Sequence, residues 1–306
     1  MNHSARRLVF AALVAAAWSA YAWAVATPEI GQPVAASGAT PGQAKLGSFG
    51  FIGDTQLGDE IVDAAFRRLH EARVDFVLHL GDIVDNAASD DQWHAVLDKA
   101  GEYQLRLRPV VGNHDRLPDD RGEARFQEFF PELPGTFYDF HYRGLHFVML
   151  NSERSLAPWS EQGKFLAERL GASGEPAIVC LHRPVFTCGR RDWGNQALRR
   201  VWLHGRLSET ATALVLAGHH HYYDRTKPLD GITYVTSGGG SRKLYPAETP
   251  DATTAVFRSG VNHYGIVDVY ADRLEVRVLD LEGETLDRFD VRLPYLTVAQ
   301  SQTTIR

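Results

Sequence analysis

The stretch LVLAGHHHYYDR, Leu214 to Arg225, sets three consecutive histidines directly behind an apolar run. Histidine suits the end of a buried strand poorly unless its ring nitrogens find partners there. The reading of His219, His220 and His221 therefore depends on what stands at the ends of the other apolar runs. Gly47 to Gly53 leads into Asp54-Thr55-Gln56, and Asp75 to Leu80 into Gly81-Asp82-Ile83-Val84-Asp85. Arg106 to Val111 ends at Gly112-Asn113-His114-Asp115, and Ala177 to Leu181 runs into His182-Arg183-Pro184. Gly144 to Leu150 is a further strand of this kind. Helical spacing separates them: Asp59 to Arg73 through Ile61, Val62, Ala65, Phe66 and Leu69, then Asp90 to Ala100, Ser160 to Leu170 and Gln196 to Leu207.

Strands alternating with helices point to an α/β sheet. Past Ala217 the texture becomes all-β: Thr233 to Thr236, Gly265 to Tyr270 and Leu274 to Leu279 alternate, and LEGETLDRFDV closes a hairpin with Glu282-Gly283 at its turn. This late meander predicts a second sheet packed on the first. In open α/β sheets the carboxyl ends of the strands converge on one crevice. Two aspartates, an asparagine and at least three histidines then meet at one place. Singly, a Gly-Asp after a strand is most often a turn, and a lone histidine is most often structural. Five such pieces, each at a strand end, are hard to explain as turns. Mixed carboxylate, amide and imidazole donors suit divalent Mn, Fe, Zn or Co.

The series GDT, GDIVD, GNHD, LHRP and GHHH resembles the calcineurin-like metallophosphoesterase superfamily over roughly Leu46 to Leu293, and HRP and GHHHYYDR are similar to stretches of its purple acid phosphatase branch. The resemblance implies a four-layer α/β/β/α sandwich: two mixed β-sheets flanked by helices, with a metal site at the strand C-terminal ends. It assigns Asn262-His263-Tyr264-Gly265 and the closing hairpin to the second sheet. It implies two divalent metal ions, with Asp82 bridging, Asp54 and His221 on the first, and Asn113, His182 and His219 on the second. A metal-activated hydroxide would attack phosphorus, and His114 would protonate the leaving oxygen while Asp115 holds its ring. His220 would face away from the metals in an extended backbone.

Two positions depart from the pattern. Gln56 stands where most of the family has a metal-binding histidine, which implies a looser first site or one that prefers Mn or Mg. Asp85 stands where the purple acid phosphatase branch has its tyrosine ligand, so that branch's colour is not expected. Asp85 reads as an acceptor behind the ligands or as a turn cap. Arg183, one residue from a ligand, has two readings, phosphate contact or surface arginine. His79 reads as packed within its strand, His94 lies on a helix face, His141 and His146 flank a hairpin, and His263 is either packed or within reach of the site. Gly238-Gly239-Gly240 reads as a loop brought close to the crevice. Leu117–Glu132, Arg190–Asn195 and Arg242–Phe257 are the expected pocket walls, with Arg190, Arg191, Trp193 and Tyr245 suiting a phosphate attached to a ring.

A 44% hydrophobic content across 306 residues leaves material for a sizeable core and excludes disorder for the bulk of the chain. Arg6 and Arg7 ahead of the apolar run Leu8 to Val25, closed by Ala24-Val25-Ala26, read as a signal peptide over residues 1–26; the alternative is an uncleaved membrane anchor. Residues 27–45 read as a flexible linker, 46–293 as the metallophosphoesterase domain and 294–306 as a C-terminal tail. Export to the periplasm or cell exterior follows. Cleavage would remove two arginines and no acid, making the formal net charge of −6 more negative still. Nothing in that balance invites nucleic acid, which disfavours a nuclease. Cys180 and Cys188, two thiols flanking His182, fit either a disulfide or two buried thiols. Two functions remain: a hydrolase of small phosphate esters, mono- or diester, and a non-catalytic metal- or phosphate-binding relative weakened at Gln56.

Overall fold

The computed structural model describes residues 44–119, 121–188, 197–246 and 248–293. The proposed signal peptide, almost all of the linker, the C-terminal tail and the wall residues Arg190, Arg191 and Trp193 lie outside these residues. In chain order the elements are β1 (Gly47–Ile52), α1 (Asp59–Glu71), β2 (Val77–His79), α2 (Asp90–Glu102), β3 (Leu107–Pro109), α3 (Ala124–Phe129), β4 (Tyr138–Tyr142), β5 (Leu145–Met149), α4 (Glu161–Ser173) and β6 (Ala177–Leu181). A π-helical turn, Arg200–His204, runs into α5 (Gly205–Leu207). Then come β7 (Thr212–Ala217), β8 (Tyr223–Thr226), β9 (Thr233–Ser237), β10 (Thr254–Arg258), β11 (His263–Val269), β12 (Arg273–Asp280) and β13 (Thr285–Arg292).

Two sheets result, β13-β12-β11-β1-β2-β3 and β10-β8-β9-β7-β6-β5-β4. Both are mixed. β1, β2 and β3 are parallel and β11 joins β1 antiparallel, while β5, β6, β7 and β9 are parallel and β4, β8 and β10 close the flanks antiparallel. Strands buried on both faces read as continuous apolar runs. Between the sheets Phe49, Phe51 and Leu78 meet Phe147, Met149, Ile178 and Leu216, and Phe147 sets its edge on Phe49 at 5.2 Å between centroids. On the outer face of the first sheet, Val62, Phe66 and Leu69 of α1 and Trp93 and Val96 of α2 cover Ile52 and Val77. Leu166 and Leu170 of α4, with Leu203 and Leu207, cover Val148, Val179 and Val215 of the second. The layers are α/β/β/α.

One expectation is corrected. The late meander β11-β12-β13, with His263 and the closing hairpin, does not form the second sheet but extends the first beyond β1. The second sheet is built from the middle of the chain. β1 is a parallel-sheet strand with one open flank, and the alternating β11 pairs Phe49 with Val267 to fill it. Cys180 and Cys188 are free thiols, both buried. Cys180 packs among the core side chains between the sheets.

Candidate metal centre

Every glycine ahead of a candidate ligand sits where a side chain would collide. A Cβ on Gly112 would lie 2.1 Å from the Asp82 nitrogen, and one on Gly218 would lie 2.6 Å from both Asp54 Oδ2 and the Leu80 carbonyl oxygen. These contacts let the loops after β1, β2, β3 and β7 close on one point. Main-chain bonds then lock them: Asp54 N–H donates to the Gly81 carbonyl at 2.9 Å, and Gly218 N–H to the His182 carbonyl at 3.0 Å. Asp54, Asp82 and His219 hold φ of 60°, 53° and 69°. Non-glycine residues in this left-handed region cost of order 1 kcal/mol each and gather at functional sites. The Gly238–Gly240 loop is drawn in as expected, since a Cβ on Gly238 would lie 2.8 Å from Asp54 Oδ2.

The ring chemistry of two histidines tests whether a cation fits. His182 Nδ1 donates to the Leu80 carbonyl at 2.8 Å, so Nε2 is the atom that faces the pocket, and it lies 3.3 Å from Asp82 Oδ2 and 3.2 Å from Asn113 Oδ1. His221 Nδ1 donates to the Lys243 carbonyl at 2.5 Å, and its Nε2 lies 3.4 Å from Asp54 Oδ1. Ring nitrogen facing carboxylate oxygen at such distances requires positive charge between them, supplied by a ring proton or by a bound cation, and a backbone carbonyl fixing the far nitrogen is how metal-binding imidazoles are oriented. Two groups of donor atoms lie within 4.8 Å of one another, Asp82-His182-His219 and Asp54-Asp82-His221, and Asp82 belongs to both. The carboxylate and imidazole donors of these groups fit divalent metal.

Electrostatics agree. Burial works against charge on His182, yet the carboxylates of Asp82, Asp54 and Glu153 outweigh it and push its pKa up to about 10. Burial alone would raise Asp82, but the His182 charge and hydrogen bond hold it at about 2. Burial opposes the charged form of His221 too, and its bond to Asp54 still raises its pKa. The pocket stabilises positive charge.

Gln56 and His219 fit less simply. Gln56 Nε2 donates to Asp82 Oδ2 at 3.2 Å, while its Oε1 is buried with no partner. Only the turned amide offers oxygen to a cation. His219 Nδ1 lies 3.2 Å from His182 Nε2, but its Nε2 accepts from Arg183 Nη1 at 3.0 Å, which leaves the proton on Nδ1. Burial, then the neighbouring His182 and Arg183 charges, push the His219 pKa down, so this ring stays neutral.

His114 is hooked to the centre by its main-chain N–H, which donates to Asp82 Oδ1 at 2.8 Å. Its ring is not held by Asp115, as the sequence led us to expect. Asp115 Oδ1 accepts from Ile83 and Val84 N–H at 2.8 and 3.2 Å, and Oδ2 from Gly112 N–H at 2.8 Å. That carboxylate is consumed in bracing two loops. Asp85 takes the expected place: its carbonyl accepts from His114 Nδ1 at 2.9 Å, and its carboxylate lies 3.5 Å from the same atom.

His220 turns away, its Nδ1 bonded to the Tyr222 hydroxyl at 2.6 Å. The alternation holds, but through tight bends closed by His220 N–H to Gly218 O and Tyr222 N–H to His220 O rather than a plain strand. His79 is packed, with Nε2 2.9 Å from Thr55 Oγ1. His263 is fully buried against Gly239, and its Nδ1 bonds to the Val261 carbonyl at 3.0 Å, so it supports the glycine loop rather than the metal group. His141, His146 and Asp139 form a separate cluster on the β4–β5 hairpin, tied by ion pairs to Glu175 and Arg169. Of the expected wall, Tyr245 stacks on His221 at 4.3 Å, and Arg242 lines a cleft of about 330 Å³ with Gln56, Ile83 and Val84. Sequence reading missed Glu153, whose carboxylate holds Arg183 from 30 residues away; no local pattern signals it.

Residues 47–223 match the family described as calcineurin-like phosphoesterase. The chain is 24% identical over 253 residues to phosphoenolpyruvate phosphatase of Allium cepa, covering 74% of this chain and 51% of that protein. It is 28% identical over 118 residues to purple acid phosphatase 21 of Arabidopsis thaliana, covering 35% of this chain and 27% of that protein. The chain thus spans about half or less of the length of these curated relatives. Its fold is similar to purple acid phosphatase PPD1 from yellow lupin seeds (TM-score 0.72, 17% identity, 82% of this chain and 54% of that one). It is also similar to GAP50, the anchor in the inner membrane complex of Plasmodium (TM-score 0.66, 15% identity, 82% of this chain and 90% of that one).

Proposed function

We propose, for a chain that belongs to the calcineurin-like phosphoesterase family, that it hydrolyses small phosphate esters with two divalent metal ions held around Asp82. The observation that carries this is the pair of imidazoles, His182 and His221, whose Nε2 atoms face the carboxylate oxygens of Asp82 and Asp54 in two donor groups that share Asp82. On this reading Asp54, Gln56 and His221 hold the first ion, and Asn113, His182 and His219 the second. Mn, Fe or Zn suits these donors.

Two such ions lower the pKa of a water and stabilise the phosphoryl charge. The chain's own residues do the rest. His182 and His221 are kept in one tautomer by the Leu80 and Lys243 carbonyls. His114 Nδ1–H is spent on the Asp85 carbonyl. Its Nε2 is thereby turned out of the loop, where it delivers a proton to the departing alkoxide or phenoxide oxygen. The Asp85 carboxylate lies 3.5 Å from Nδ1 of the same ring and helps to hold its orientation for this step. Asp115 fixes the distance between the Asp82 and His114 loops by holding three main-chain N–H groups at once.

One structural neighbour is described as a membrane-complex anchor, and Gln56 gives its amide N–H to Asp82. These two observations favour the second reading, a non-catalytic relative. Hydrolysis of p-nitrophenyl phosphate by the Mn²⁺-loaded protein decides between them. Turnover that falls by about 100-fold or more in His114→Ala, with metal retained, is expected of the enzyme. Metal binding without turnover would establish the non-catalytic relative. Among the described residues no helix is long and apolar enough to cross a membrane; we place the protein outside the cytoplasm on the reading of residues 1–26.

A further inference from the structure

Asp54, Gln56, Asp82, His182 and His221 are buried, whereas Asn113, His114, Arg183 and His219 are partly exposed. A substrate enters across those four. We propose that Arg183, held in place by Glu153, is the phosphate-binding residue of this site, seating a non-bridging oxygen of the phosphoryl group together with His219. This deepens the function proposed above and rests on it.

The guanidinium is built in. Arg183 Nε donates to Glu153 Oε1 at 2.6 Å and Nη2 to Oε2 at 3.1 Å, two parallel bonds to one carboxylate. Its main-chain N–H donates to Ser152 Oγ at 2.8 Å. Glu153 stands just past the end of β5, the strand beside β6, and its side chain is only 7% exposed. The fork fixes the plane of the guanidinium and turns Nη1 across the rim to His219 Nε2, 3.0 Å away. Arginine stays charged at any working pH and is planar, as phosphate recognition requires. With Asp54 and Asp82 behind it, the site repels a phosphate dianion until cations offset them, and Arg183 is a fixed one at the entrance.

His219 explains when the seat forms. If its Nδ1 lone pair is given to a cation, its only proton is on Nε2. Nε2–H and Nη1–H are then two donors facing each other at 3.0 Å, a contact neither can satisfy. An anionic oxygen accepting from both resolves it. The same pair that closes on itself without a cation becomes a two-donor seat once the ion is present.

The test uses the full chain and inorganic phosphate as probe. Metal content per chain, phosphate binding by calorimetry, and kcat and KM for p-nitrophenyl phosphate are measured for wild type, Arg183→Ala, Arg183→Lys and Glu153→Gln. Arg183→Ala is expected to keep its metal, to bind phosphate about tenfold or more weakly, and to raise KM more than it lowers kcat. Arg183→Lys should recover part of the loss, and Glu153→Gln should fall between. Phosphate binding within about twofold of wild type in Arg183→Ala, with metal retained, overturns the assignment alone. Metal loss in both Arg183→Ala and Arg183→Lys overturns it too, since Arg183 would then serve the ligand His219. A wild-type protein that binds phosphate no better with metal than without overturns the function proposed above, and this seat with it.

Discussion

Asp82 spends Oδ1 on the His114 N–H and points Oδ2 at His182 Nε2. Asp82→Asn keeps its size but replaces one oxygen by an N–H donor. At least one bound ion should be lost and kcat/KM for p-nitrophenyl phosphate should drop by about 100-fold or more, read by metal analysis and steady-state kinetics. Asp115 makes the opposite kind of variant. Asp115→Asn cannot accept three main-chain N–H bonds with a single oxygen, so roughly 1–3 kcal/mol of stability should disappear in urea unfolding. A variant as stable as wild type would mean the bracing bonds are immaterial. At Gln56 the expected change is a gain. An imidazole there is a stronger ligand than an amide that faces Asp82 with its N–H, so Gln56→His should tighten the weaker ion by about tenfold. Chelator titration measures this, and an unchanged affinity would remove Gln56 from the site.

At the scale of elements, what the loops share is their spacing off short strands. β2 and β3 each keep three residues in the ladder, yet the sequence runs Asp75–Leu80 and Arg106–Val111 read as longer strands because Phe76, Leu80, Val110 and Val111 beside them are equally apolar and buried. Four of the five strand-end motifs were legible because each needs its glycine in front; only His182 follows a leucine. Gly112→Ala would press its Cβ on the Asp82 nitrogen; the fold should survive by circular dichroism while bound metal falls below that of wild type. Full metal content in that variant would show that the loop has room. Sheet membership was not legible. The alternation in β12 marks a strand with one face more buried, while β11 is buried on both faces, and neither pattern carries information on which sheet edge the strand joins. β8 and β10 also escaped, since Tyr223–Thr226 reads as the tail of the histidine motif and Thr254–Arg258 is only partly buried. The roles of Asp85 and Asp115 were exchanged for a related reason. Neighbouring residues in a turn point in directions that spacing alone does not fix.

At the scale of the whole molecule, the buried His263 contributes to the response to acid. Burial holds His263 neutral, with its pKa pushed down to about 4. The unfolded chain titrates near the usual histidine value of about 6.5, so between these values it binds more protons than the folded one. The stability this group contributes is therefore whole above about 6.5 and is lost as pH falls toward about 4, about 3 kcal/mol if realised in full. His263→Gln should lose less stability than wild type between about pH 7 and about pH 5 in urea unfolding; equal losses would assign the acid sensitivity elsewhere. If two ions share one carboxylate, the converging strand ends of both sheets serve to hold them around Asp82. The direct test is the number of Mn²⁺ ions retained per chain after desalting, in wild type and in Asp82→Asn. Two ions in wild type and fewer in the variant are expected. A single ion in wild type, or an Asp82→Asn protein that keeps both, would contradict a shared centre at Asp82.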